Sequence, residues 1–143
     1  MCENNCDDDD MRREIKCIFG KVNGLCRNFR DCDDMVKTKL FKTYCSSLYC
    51  STLWSDFKPS TLKRVKTSMN KSFKYFMKKK RDFSASLLFV MCDVDSFPVI
   101  RRKYVYSFCS RLLSSSNMIV DMMMTSAFIK KSTMYKQWEK VLF

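Results

Sequence analysis

Ten Lys or Arg side chains fall within the run KPSTLKRVKTSMNKSFKYFMKKKR, from Lys58 to Arg81, and no acidic residue stands among them. Like charges at i,i+4 on a helix repel, so a solvated charge run ordinarily mixes signs. A single sign suits a polyanion, because each phosphate that an ammonium or guanidinium group neutralises releases condensed counterions. The side chains placed for phosphate contact are Lys63, Arg64, Lys66, Lys71, Lys74, Lys78 and Arg81. Tyr75 lies towards the same side. Its ring can stack on a base or sugar, but packing along lysine stems is the commoner arrangement.

The composition excludes several other chemistries. No His is present, which removes imidazole acid–base catalysis, Ser-His and Cys-His nucleophilic pairs, and imidazole zinc sites. Nine Cys stand at 2, 6, 17, 26, 32, 45, 50, 92 and 109. The nearest pairs are Cys2/Cys6 and Cys45/Cys50. Only the second is expected inside regular secondary structure, and neither has the matching second pair that a zinc site needs. The thiols therefore read as small hydrophobes, and no metal or other cofactor is expected. An odd count without a signal peptide implies free thiols in a reducing, intracellular compartment, cytoplasm or nucleus. No apolar run approaches the roughly 18 residues that cross a bilayer. The net charge of +12 points first to RNA or DNA and second to an anionic membrane surface. Membrane binding needs bulky apolar residues beside an exposed basic face, and Phe73 and Phe76 are expected in the core.

The elements that must position these side chains follow from the apolar spacing. Leu62, Val65, Met69, Phe73 and Phe76 recur at steps of three and four, one stripe of a helix. At about 100° per residue, Lys63, Arg64, Lys71, Lys74, Lys78 and Arg81 fall on the opposite side. Pro59 and Ser60 open this helix, Ser60 offering a capping oxygen, and the basic run extends it to Arg81. Upstream, Asp7 to Asp10 stand where another helix begins, complementing its dipole and capping it. A metal site there is the lesser reading, since adjacent carboxylates rarely converge on one ion without further ligands. The stripe Met11, Ile15, Ile18, Phe19, Val22, Leu25, Cys26 and Phe29 continues that helix. Gly20 and Gly24 either admit close approach of a neighbour or weaken the helix.

Asp33 or Asp34 caps the next element. From Met35 to Phe57 apolar residues occur on nearly every side, which predicts a central helix with Lys37, Lys39 and Lys42 at its exposed start. Ser84 caps a short helix through Cys92, Asp93 to Asp95 turn, and Pro98 lies in the first turn of another. That helix buries Ile100, Tyr104, Val105, Phe108, Cys109 and Leu112, while Arg101, Arg102, Lys103 and Arg111 add positive charge. Ser114 to Asn117 stop it. Met118 to Met124 read as a short helix, and Tyr135, Trp138, Val141 and Leu142 give a closing one. Two Gly and two Pro in 143 residues favour long helices over sheets. The expected fold is all-α, a compact bundle of about five to seven helices. Residues 1–6 read as a loose N-terminus and 7–143 as one helical domain.

Four ordered blocks add a resemblance. DDDDMRREIKCIFGKVNGLCRNF, VKTKLFKTYCSSLYCSTLW, RDFSASLLFVMCDVDSFPVIRRKYVYSFCSRL and KQWEKVLF resemble the segment just after the palm of non-LTR (LINE-type) retrotransposon reverse transcriptases. The likeness runs from about Asp7 to Phe143, and it lies in the order of the blocks rather than in one specific motif. It implies a thumb (7–82) and post-thumb region (83–143), the part of an RNA-directed DNA polymerase that grips the template–primer duplex. A parent polymerase's palm is then a further partner. The family's aromatic-Ala-Asp-Asp turn has no counterpart here, nor has its endonuclease region. Asp7 to Asp10 and Asp33-Asp34 lack strand-like flanks and the third carboxylate of two-metal phosphoryl transfer. The resemblance therefore implies a non-catalytic fragment rather than an active reverse transcriptase. The alternatives are a decayed mobile-element remnant without activity and a helical interaction module.

Overall fold

The computed structural model describes residues 6–48 and 50–143. The expectation of a loose end at Met1–Asn5, and with it Cys2, lies outside the described residues, as does Tyr49. The described chain is all-helical. It comprises α1 (Asp8–Asn28), α2 (Asp34–Cys45), α3 (Pro59–Phe76), α4 (Ala85–Met91), α5 (Phe97–Leu113), α6 (Met118–Thr125), α7 (Ala127–Lys131) and α8 (Thr133–Leu142). The described residues thus hold eight helices, slightly more than the spacing suggests, because the C-terminal third divides into three short ones.

Helices α1 and α3 form the backbone of the bundle. α1 buries Met11, Ile18, Val22 and Leu25, and α3 buries Val65, Met69, Phe73 and Phe76, each set at helical steps. Their N-termini meet where the Lys58 amide donates to Asp8 Oδ1 at 3.1 Å. Their C-terminal turns line one groove through Cys26, Arg27, Tyr75 and Phe76. The two helices therefore run parallel, side by side. Phe73 is the hub: its ring lies 4.5 Å from Phe41 of α2 and 5.0 Å from Phe89 of α4. Phe97 and Ile100 of α5 complete the same core, which crosses the junction at 82/83. Side-chain caps appear at Asp33, Ser84, Asn117, Ser126 and Ser132.

The predicted central helix, Met35 to Phe57, is not formed. α2 stops at Cys45, and residues 46–48 and 50–58 make no α-helix. Serines and threonines there are weak helix formers that compete for backbone hydrogen bonds, and distant partners take up the polar groups instead. Asp7 Oδ2 accepts from the Ser55 and Asp56 amides at 2.7 and 2.9 Å, and Asp10 Oδ2 accepts from the Trp54 indole at 2.8 Å. Tyr104 Oη donates to the Ser46 carbonyl at 3.1 Å. The apolar residues of this stretch still reach the core, Leu48 and Trp54 being buried. α2 is peripheral, with Met35, Val36 and Tyr44 exposed. Lys37, expected at the exposed start, is buried, its ammonium 3.9 Å from Asp34.

The acidic run stands at the start of α1 as expected, but the expected side-chain cap does not form. Asp7 and its neighbours instead bind the chain ahead of α3. Ser60 is likewise not the cap of α3. Lys58 holds that position and Pro59 is the first helical residue. Gly20 and Gly24 are exposed, and a methyl group added to either meets no atom within 4 Å. They admit no neighbour and only weaken α1. The eight described cysteines carry free thiols. Cys45, closing α2, is buried, and burial pushes its thiol up to about 11 against the opposing charge of Lys21. Cys50 lies in a turn beyond the helix, so this pair is not held within one element.

The C-terminal helices attach through few anchors. α6 buries no residue. Trp138 of α8 is buried, lies edge-on 5.5 Å from Phe108 of α5, and donates its indole N–H to the Thr52 carbonyl at 2.7 Å. Among the described residues no helix is long and apolar enough to cross a membrane.

Two predictions follow from this packing. Gly20→Ala and Gly24→Ala should each stabilise the chain by about 1 kcal/mol, raising Tm by roughly 3 °C in a thermal melt. The Lys58 amide is the main reason that the Asp8 carboxyl lies below its ordinary 3.8, with Thr61 and Cys6 assisting against burial. A depressed carboxyl pKa contributes stability above the unfolded value and loses it as pH falls through the folded one. Asp8→Asn should therefore destabilise the chain at pH 7, with the gap to the wild type closing below 3.8 in urea unfolding.

Candidate nucleic-acid interface

The buried stripe of α3 decides which cations face outward. Lys63, Arg64 and Lys71 are exposed on the side opposite Val65, Met69 and Phe73, and Lys66 is exposed on its flank. Arg81 is exposed in the turn after the helix. Among the described residues none of these five pairs with a carboxylate. Unpaired cations in one stripe can accept phosphates without first giving up an internal partner.

The other two expected contacts are engaged within the chain. α3 ends at Phe76 rather than continuing to Arg81, so Lys78 and Arg81 do not extend its outer face. The Lys78 amide donates to the Tyr75 carbonyl and the Lys79 amide to the Lys74 carbonyl, at 3.1 and 3.0 Å. Lys78 itself is left-handed, with φ 51°. This is the Schellman ending with a lysine where glycine is usual. Lys78 Nζ lies 3.1 Å from Asp31, and Lys79 Nζ lies 3.6 Å from Asp34. Lys74, only half-buried, turns its ammonium onto the carbonyls of Arg81 and Phe83 at 2.9 and 3.2 Å. It ties down the chain between α3 and α4.

Other basic residues lie where the charge pattern alone did not place them. Arg27 and Arg30, at the end of α1, share a groove with Tyr75 and Lys78. Tyr75 is 63% exposed there. The parallel packing of α1 on α3 brings this second basic strip beside the first, and the signal for it was Arg27 in the last turn of α1, off the buried stripe, with Arg30 in the turn just after it. Of the charge expected from α5, only Arg101 is withdrawn from the surface, while Arg102, Lys103 and Arg111 are exposed. Arg101 is buried with its guanidinium 5.2 Å from the Phe57 ring centroid, and Lys103 pairs with Asp95 at 2.5 Å.

The two acidic runs, Asp7 to Asp10 and Asp33-Asp34, are likewise committed. Asp33 caps α2 through the Met35 amide at 3.1 Å, and Asp34 lies between Lys37 and Lys79. Asp9 pairs with Arg12 at 2.6 Å, and Asp10 with Arg13. Compared with protein-family models, curated proteins and solved structures, the chain matches none of them.

Lys74 and Lys71 should consequently behave differently although both stand in the basic run. Lys74→Gln removes charge-assisted bonds to two carbonyls and should cost about 1 kcal/mol, the partial exposure reducing the usual value. Lys71→Gln should leave stability within about 0.5 kcal/mol of the wild type. Chemical unfolding of the two variants checks the difference.

Proposed function

We propose that this chain grips the sugar–phosphate backbone of RNA or DNA without sequence specificity and performs no catalysis of its own. It does so as the thumb and post-thumb segment of a reverse transcriptase of the non-LTR retrotransposon type. The observation that carries this reading is the outer face of α3, where Lys63, Arg64 and Lys71 stand exposed opposite the buried stripe and, among the described residues, unpaired. From Lys63 to Lys71 the helix rises about 12 Å, a length over which a nucleic-acid duplex presents about seven phosphates. Lys66, Arg81, and Arg27 with Arg30 widen the positive surface on either side. Contacts of this kind position a duplex and carry no base information.

The proposal includes no polymerase chemistry. The sequence has no aromatic-Ala-Asp-Asp turn. The carboxylates of Asp7, Asp8 and Asp10 accept hydrogen bonds from backbone amides and an indole, a use that competes with holding magnesium. The non-catalytic role and the polymerase-derived origin are proposed together, on the ordered blocks of the sequence and on the basic face.

Mobility shifts with duplexes of unrelated sequence test the reading. Wild-type chain should bind all of them alike. If Lys63, Arg64, Lys66, Lys71 and Arg81 engage phosphates, log K should fall with log salt at a slope of about −4 to −5. Arg64→Glu with Lys71→Glu should weaken binding by at least about tenfold and flatten that slope by roughly two, with the helical circular-dichroism signal kept. Equal shifts for the two proteins refute the interface, and primer extension by the purified chain refutes the absence of catalysis.

A further inference from the structure

Beside the flank of α3 lies a cleft of about 360 Å³, formed where α3, α5 and α8 converge. Among the described residues five cations line it, Lys63 and Lys66 from α3, Arg101 and Arg102 from α5, and Lys140 from α8, and no acidic residue does. Arg101 is the unusual member. It is 7% exposed, and its Nε is buried without a hydrogen-bond partner among the described residues. The Phe57 face, 5.2 Å away, offers a cation–π contact, but among the described residues no carboxylate pairs with it, and desolvation lowers the guanidinium's pKa. A buried, unpaired cation is costly, and an external anion removes that cost when it docks.

We propose that this cleft is a phosphate site, and that it takes the terminal phosphate of a nucleic-acid strand. The concavity suits a group that protrudes, whereas a continuous strand lies along the open face of α3. A terminal phosphate monoester carries close to two negative charges at neutral pH, against one for an internal diester, and the five cations match the larger charge. Arg101 supplies planar donors from the wall of the cleft, and Lys140 closes it from the last helix. The identity of the ligand rests on the nucleic-acid reading above; the chemistry of the site does not.

The full chain is titrated with inorganic phosphate by calorimetry, and with one short oligonucleotide carrying or lacking a terminal phosphate by fluorescence anisotropy. Wild type should bind phosphate saturably and prefer the phosphorylated oligonucleotide by about tenfold, the worth of one strong charge-assisted contact. Arg101→Met, which keeps the packing volume, and Lys140→Gln, an exposed change that leaves the core alone, should each bring that preference towards one. Arg64→Glu with Lys71→Glu should lower both affinities and keep their ratio. A wild-type ratio of one, or a ratio unchanged in Lys140→Gln, overturns the strand-end site. Saturable phosphate binding abolished by Lys140→Gln supports the phosphate site even if no oligonucleotide binds, which separates its fate from that of the backbone-gripping reading.

Discussion

The fold depends on a strap of carboxylates. Asp7, Asp8 and Asp10, at the start of α1, hold the backbone amides of Ser55, Asp56 and Lys58 and the indole of Trp54. This stretch has little helical order of its own, so something must satisfy its polar groups before Trp54 can be buried. Hydrogen bonds to ionised acceptors are the stronger kind, and several from one turn fix the path of the chain into Pro59. The direction of α3 follows from that path, and so does the face on which its lysines emerge. The strap also places negative charge at the N-terminus of a helix that has no acid in its own first turn, a favourable arrangement with the helix dipole.

The basic helix tolerates its concentration of like charge by distributing it. Lys74 folds back on carbonyls, Lys78 and Lys79 stand beside aspartates, and Lys63, Arg64 and Lys71 are left outward. The first group serves the turn towards α4 and the second keeps the local potential positive. Arg101 follows neither pattern: its guanidinium is withdrawn from water against an aromatic ring. Burial of that sort distinguishes a built pocket from a merely charged surface.

Much of the architecture is legible in the residues. The stripes of α1 and α3, the caps at Asp33 and Ser84, the Pro98 start of α5 and the helical patterns of α6 and α8 are all local signals, contained within a turn or two. What the pattern misses is long-range or lacks its usual residue. α3 stops at Phe76 because Lys78 adopts the left-handed conformation, and a lysine does not announce a helix end as a glycine does. The stretch after Cys45 reads as helix because its apolar residues are dense. Its true partners, Asp7, Asp10, Tyr104 and Trp138, are more than forty residues away. Lys37 and Arg101 read as surface charges, since composition cannot show an ammonium or guanidinium withdrawn by tertiary packing. Of the candidate interface, the exposed part of α3 was legible, and Arg27 and Arg30 required the parallel pairing of two helices.

The contact between Trp138 and the Thr52 carbonyl spans 86 residues. During synthesis the first three helices emerge and pair while this carbonyl still lacks its donor. A bundle built mainly from neighbouring helices is quick to assemble, but here one long-range contact waits for α8. The irregular stretch is therefore locked only once α8 has been made and has docked.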